Sequence, residues 1–143
     1  MKKYGVILMV VVLSLVLVGC STGNKKKLVC TQNASGVDIE FNVGFVGNSI
    51  KTIDFNYDMD LSSYNSSQLK LFEKQDFCKI VKEAMTEYKD SFKSCKQSIK
   101  NKHLKVYSVL DVHKLSDDIS KKMTTPEKGK KALEKTGYTC EIK

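Results

Sequence analysis

Residues 37–60 read VDIEFNVGFVGNSIKTIDFNYDMD, and their alternation decides the fold. Val37, Ile39, Phe41, Val43 and Phe45 are apolar, with Asp38, Glu40, Asn42 and Gly44 between them. Successive side chains of a strand point to opposite faces, so a period of two marks a strand with one face on a core and one in water. Gly47-Asn48 follows as a hairpin turn. Ile53, Phe55, Tyr57 and Met59 then repeat the inward set, with Thr52, Asp54, Asn56, Asp58 and Asp60 outward. Upstream, Leu28-Val29-Cys30-Thr31-Gln32 reads as a short strand closed by the turn-prone Asn33-Ala34-Ser35-Gly36. Three strands joined by tight turns predict an antiparallel meander.

Downstream the period changes. Leu69, Phe72, Phe77, Ile80, Val81, Ala84, Met85, Tyr88 and Phe92 recur mostly at three- and four-residue steps. That spacing predicts one long amphipathic helix over about 67–92, capped by Ser66 or Ser67, with Asp76 the one interruption of its apolar stripe. Asp76 is also the point where the helix is expected to start or bend if it is not continuous. Residues 93–100 and 104–113 read as two more strands around Asn101-Lys102, with Leu104, Val106, Leu110 and Val112 on the buried side. Leu115, Ile119 and Met123 suggest a short helix, and Thr125-Pro126-Glu127 starts another, with Pro at its first position. Ala132 and Leu133 face inward there, and Gly137 stops the helix before a final strand, Tyr138-Thr139-Cys140-Glu141-Ile142. The expected fold is α+β: an antiparallel sheet of five or six strands, one long helix and shorter helices packed on one face, in a single domain spanning 28–143.

The first twenty residues read differently. Met1-Lys2-Lys3 is a short positive n-region, and residues 6–18 form an apolar run that fits a signal h-region better than a membrane span of about 20 residues. Leu17-Val18-Gly19-Cys20 has the form of a lipobox. It implies a lipoprotein signal peptide over 1–19, with diacylglycerol on the Cys20 sulfur and the domain held on the extracytoplasmic face of a cell membrane. Two or three acyl chains, palmitate among them, anchor stably because each buried CH₂ contributes about 0.8 kcal/mol. Residues 20–27, ending in Lys25-Lys26-Lys27, read as the acylated N-terminus and its tether.

All 24 basic residues are Lys, there is no Trp, and the formal charge is +8, of which Lys2 and Lys3 contribute two. Arginine is the preferred residue for bidentate phosphate and base recognition, so its absence, together with export, excludes nucleic acid as the expected partner. The charges are well mixed and read as a solvated surface. Beyond Cys20 there are four cysteines, Cys30, Cys78, Cys95 and Cys140, an even number that in an exported domain implies disulfides. Three connectivities are open. The favoured one is Cys30–Cys140, tying the opening strand to the chain end, with Cys78–Cys95 stapling a helix to the following strand. Zinc is disfavoured by the lack of ligand spacing, and a catalytic thiol by the lack of a nearby base.

The lipobox, the Lys-rich tether, the opening Leu28-Val29-Cys30-Thr31, the hairpins and the ending Leu133-Glu134-Lys135-Thr136-Gly137-Tyr138-Thr139-Cys140 together resemble small bacterial lipoproteins of the YehR-like group and uncharacterised lipoproteins of low-GC Gram-positive bacteria. The resemblance implies export, this fold class and the Cys30–Cys140 pairing. It implies no catalytic, cofactor-binding or metal-ligating residue.

Chemistry-bearing residues are sparse. His103 falls at a turn and His113 at a strand end; both read as surface histidines. Asp54, Asp58 and Asp60 share the outward face of one strand, without the spacing or glycine of a calcium loop, and Asp111, Asp117 and Asp118 are similar. No nucleophile elbow, zinc-protease motif or phosphate loop occurs. Phe41, Phe45, Phe55, Tyr57, Phe77, Tyr88 and Phe92 lie at core periods, where packing is the default use and ligand lining the alternative. The expectation is a non-enzymatic, cofactor-free envelope domain that binds a ligand or protein, with a small envelope enzyme or thiol-redox protein as the alternative.

Overall fold

The computed structural model describes residues 23–143. The expected signal peptide and the expected acylation site, Cys20, lie outside the described residues. Strands β1 (Lys25–Ala34), β2 (Val37–Val46) and β3 (Ser49–Asp60) form the expected meander. Two short helices follow, α1 (Ser66–Glu73) and α2 (Phe77–Ala84), and then a 3₁₀ segment, Thr86–Ser91. The hairpin of β4 (Phe92–Lys100) and β5 (His103–Leu110) comes next. A 3₁₀ turn at Val112–Lys114, α3 (Asp117–Lys122), α4 (Pro126–Glu134) and β6 (Thr139–Ile142) complete the chain.

All six strands belong to one antiparallel sheet, in the order β4-β5-β3-β2-β1-β6. Its hairpins turn in two residues each. Ser35-Gly36 and Asn101-Lys102 both have positive φ, and Gly47 has φ +59, the left-handed geometry that matches the twist of paired strands. The alternation expected in β2 and β3 is the one observed: Phe41, Phe45, Ile53 and Phe55 are buried on one face, and Phe41 lies directly opposite Phe55. Each such side chain contributes roughly 1.5–3 kcal/mol by leaving water.

Helices cover that face only, in two caps. Leu61, Leu104 and Val106 form one buried cluster against Leu69, Phe72, Phe77 and Val81 of α1 and α2. Leu28, Cys30, Phe41, Val43, Phe45, Ile53 and Phe55 form the other, beneath Ile119, Met123 and Leu133 from α3, its C-cap and α4. Helix α4 lies close on β1: a Cβ at Gly129 would sit 3.0 Å from Leu28 Cδ2.

Several expectations need correction. The long helix over 67–92 is three pieces. Asn65, not Ser66 or Ser67, caps α1 through a capping box with Gln68, and the Asp76 side chain accepts from the Lys79 amide to start α2 afresh. Ile80, expected in the apolar stripe, is consequently exposed. Strand β1 begins at Lys25, so Lys25–Lys27, expected as tether, pair with Val46, Phe45 and Gly44 of β2. Strand β5 ends at Leu110, because the Asp111 side chain accepts from the His113 amide and turns the chain into a 3₁₀ helix. Val112 and His113 are therefore not strand residues.

Both favoured disulfides form. Cys30–Cys140 joins β1 to β6, and Cys78–Cys95 joins α2 to β4. Among the described residues no helix is long and apolar enough to cross a membrane.

Candidate functional site

Between the 3₁₀ segment that follows α2 and the helices α3 and α4 lies a cleft of about 440 Å³, within the usual range for a small-ligand site. Its floor is Phe41 and Phe55, whose ring centroids are 4.3 Å apart. Met85, Glu87 and Tyr88 form one wall, and Ile119, Lys122 and Met123 with Leu133, Lys135 and Tyr138 form the other.

Local structure fixes both walls. The 3₁₀ segment that carries Tyr88 is pinned at its end, where the Ser91 hydroxyl donates to the Lys114 carbonyl (2.7 Å) and the Asp111 amide donates to the Ser91 carbonyl (2.6 Å). On the other wall α4 stops at Gly137, which has φ +97. The Gly137 amide donates to the Glu134 carbonyl and the Tyr138 amide to the Leu133 carbonyl. This is the Schellman pattern, which sets the residue after the glycine against the last turn. Tyr138 is thereby folded over the cleft beside Leu133.

Two phenols, Tyr88 and Tyr138, line the cleft, and Tyr57 lies behind Met85. Phe41 to Tyr88 and Phe41 to Tyr138 are 6.2 and 6.4 Å between centroids, and Tyr88 meets Phe55 edge-on at 5.7 Å. The Tyr57 hydroxyl donates to Met85 Sδ at 3.0 Å. Among the described residues the Tyr88 and Tyr138 hydroxyls make no hydrogen bond to the protein. Burial, reinforced by the nearby Tyr138 phenol, pushes Tyr57 up to about 12; burial and the Glu87 carboxylate do the same for Tyr88. Burial also raises Tyr138. All three stay protonated at neutral pH, so Tyr88 and Tyr138 present O–H donors to the cleft in an apolar surround.

At the mouth, Lys122 is paired with Asp118 at 2.6 Å and held above its usual range, first by that hydrogen bond and, among lesser causes, by Glu87. No carboxylate lies within salt-bridge distance of Lys135 among the described residues.

The other sequence candidates are dispersed. His103 Nδ1 is 2.7 Å from Asp58 Oδ1, with Lys105 Nζ 3.3 Å from Asp58 Oδ2, all on the sheet's outer side. His113 sits in its 3₁₀ turn, where its amide donates to the Asp111 carboxylate. Asp54 accepts from Asn42, and Asp60 accepts from the Ser62 amide and hydroxyl. Asp117 and Asp118 fall in the first turn of α3, where the helix dipole favours them. Among the described residues no group of three His, Cys, Asp or Glu side chains could hold a metal. Of the expected aromatic residues, Phe41, Phe55 and Tyr88 line the cleft, Phe45 packs in the same core, Phe92 packs against it, and Phe77 stacks on Phe72 in the other cap.

Sequence reasoning did not single out Tyr138, Lys135 or Glu87 as site residues. The local signal for Tyr138 was its place directly after a helix-stopping glycine. It also missed Asn42, which is buried on the outer face and donates to both Glu40 (2.7 Å) and Asp54 (3.0 Å).

No protein-family model matches the chain, and no curated protein does. Among solved structures, an NMR structure of a protein from Streptococcus pneumoniae TIGR4 is similar, at 14% identity and a TM-score of 0.47, over 84% of this chain and 86% of that one.

Proposed function

We propose that this chain is a lipoprotein held at the extracytoplasmic face of a cell membrane by acylated Cys20, and that its α+β domain is a non-enzymatic binding module with a small-molecule site in the cleft between its 3₁₀ segment and helices α3 and α4. The anchor reading rests on the apolar run and lipobox of residues 6–20. The two disulfides support it, because such bonds persist in oxidising compartments.

The observation that carries the binding reading is the cleft: a mostly apolar recess above the buried Phe41 and Phe55, with phenol donors and two lysines in its lining. A site of this kind, mostly apolar with a few converging polar groups, is what small ligands use. Two experiments test the halves separately. Labelled palmitate is incorporated into the wild-type chain but not into Cys20→Ser, which is also released from the membrane; equal labelling of the two overturns the anchor. Ala132 is half-buried on α4 and lines the cleft. Solvent extraction of the full chain, purified from its native envelope, yields a small molecule that Ala132→Phe lacks, while that variant keeps its circular dichroism and both disulfides. Identical extracts overturn the binding reading.

A further inference from the structure

The lysines that open the domain belong to the sheet, and this decides how far the sheet can stand from an anchor. Lys25, Lys26 and Lys27 pair with Val46, Phe45 and Gly44 of β2. The order reaches further back. The Gly47 amide donates to the Asn24 carbonyl (2.9 Å), and a Cβ at Gly23 would lie 3.1 Å from Val46 Cγ1. Cys20 is three residues before Gly23. An extended chain spans at most about 3.6 Å per residue, so this end of the sheet lies within about 11 Å of an acylated Cys20.

The same end is basic. Lys143 exchanges backbone hydrogen bonds with Lys27, and Lys51 stands at the irregularity where β3 meets Gly44 and Phe45. All five of these lysines are exposed. Two are answered by carboxylates, Lys26 by Glu127 at 3.4 Å and Lys143 by Glu141 at 3.6 Å. Among the described residues no carboxylate lies within salt-bridge distance of Lys25, Lys27 or Lys51. Charges in water at physiological salt are felt over about 8 Å, a distance of the same order as the reach from the anchor. The far turn at Ser35-Gly36 is a ten-residue strand away, about 33 Å, and lies beyond that range. An ammonium is a point charge without the fixed fork of a guanidinium, and it suits the diffuse field of a headgroup layer.

We propose that the anchor-proximal end of the sheet docks on anionic lipid headgroups through Lys25, Lys27 and Lys51. The domain then stands upright on the bilayer with the Ser35-Gly36 turn outermost. This rests on the anchor reading above and adds a lipid-facing surface to it. Each lysine near an anionic surface favours the docked state about fivefold, and the three together about a hundredfold.

The chain contains no Trp, so a single introduced indole reports its own height above the membrane. Asn48→Trp places it in the exposed turn between β2 and β3, and Ser63→Trp places it at an exposed position beyond the far end of β3. Each full chain, purified with its native acylation, is reconstituted in vesicles of phosphatidylcholine and phosphatidylglycerol carrying a trace of headgroup-dansylated lipid. Energy transfer to dansyl is strong from position 48 and weak from position 63. Adding Lys25→Gln, Lys27→Gln and Lys51→Gln narrows that contrast from both sides, and so does omitting the phosphatidylglycerol. Removing the same charge elsewhere, by Lys74→Gln, Lys79→Gln and Lys100→Gln, preserves it. Equal transfer from the two positions without the lysine changes, or a contrast that the changes at 25, 27 and 51 leave intact, overturns the headgroup docking. Flotation with the vesicles is scored on the same samples: chains that fail to float overturn the anchor reading and this one with it, whereas chains that float without the contrast overturn the docking alone.

Discussion

Cys30 and Cys140 face each other across β1 and β6 with their Cα atoms 4.1 Å apart. The ladder explains the closeness. Lys27 and Lys143 exchange both backbone hydrogen bonds (2.9 and 2.8 Å), so the alternate rungs, Leu28 with Ile142 and Cys30 with Cys140, are non-hydrogen-bonded pairs, the kind that brings Cα atoms nearest. Both sulfurs then enter the core, where Cys30 is fully enclosed.

The two disulfides are therefore expected to differ in accessibility. The Cys78–Cys95 bridge lies where α2 meets β4, and neither of its cysteines is fully enclosed. Under native conditions a graded reductant followed by alkylation labels Cys78 and Cys95 first, and Cys30 and Cys140 only as the sheet opens. Removing the longer bridge by paired alanines costs about 4–5 kcal/mol on the chain-entropy account, against roughly 3 for the shorter. Urea titration gives both values; mass spectrometry gives the order of labelling, and earlier labelling of Cys30 would contradict it.

Lys102 is a lysine in left-handed backbone, φ +60, at the second corner of the β4–β5 turn. Glycine takes this conformation without the steric penalty of a Cβ, and asparagine followed by glycine is the preferred pair for such a turn. Lys102→Gly should raise stability by about 0.5–1 kcal/mol, read as a higher thermal midpoint with an unchanged far-ultraviolet spectrum.

Asn42 holds two carboxylates apart by donating to both. Asn42→Asp replaces that donor with a third negative charge at a buried position, and is expected to cost about 1–3 kcal/mol at neutral pH. The cost should shrink as pH falls and the crowded carboxyls take up a proton. A destabilisation independent of pH would contradict this assignment.

The Asp58 carboxyl is held below the usual carboxylate range, first by its hydrogen bond with His103 and then, against the opposing pull of burial, by Lys105. A carboxylate with a depressed folded value supports stability above its unfolded value, near pH ~4, and loses that support as pH falls through the folded value. His103→Ala should move the Asp58 carbon resonance midpoint upward in an NMR titration. The stability change is small, because both side chains are at least a third exposed.

The hairpins were legible because strict alternation and two-residue turns are local properties: Phe41 and Phe55 declare their face by their neighbours alone. The break between α1 and α2 was harder to see. Phe72 and Phe77 follow one apolar stripe closely enough to favour a continuous helix, and Asp76, where a start or bend was the alternative, is the cap of a new helix. The Cys30–Cys140 pairing implied that β6 lies beside β1, and so set one edge of the sheet. The cleft was not legible. Its lining runs from Phe41 to Tyr138 and is drawn from strands, helices and a 3₁₀ segment. Each of its apolar side chains, taken singly, has the signature of ordinary core. Only the gap between the 3₁₀ segment and the α3–α4 cap makes them a site, and a gap has no local signal.

The β1–β6 pairing also bears on how the domain would carry load. If the chain is held through Cys20, tension enters at Lys25, the first residue of a strand flanked on both sides by partners. A strand drawn along its own axis must shear its hydrogen bonds together, whereas an edge strand can be peeled away one rung at a time. At Cys30 the pull passes through a covalent bond into the last strand of the chain. Thr139–Ile142, more than a hundred residues further along the chain, thus help to bear a force applied at Lys25.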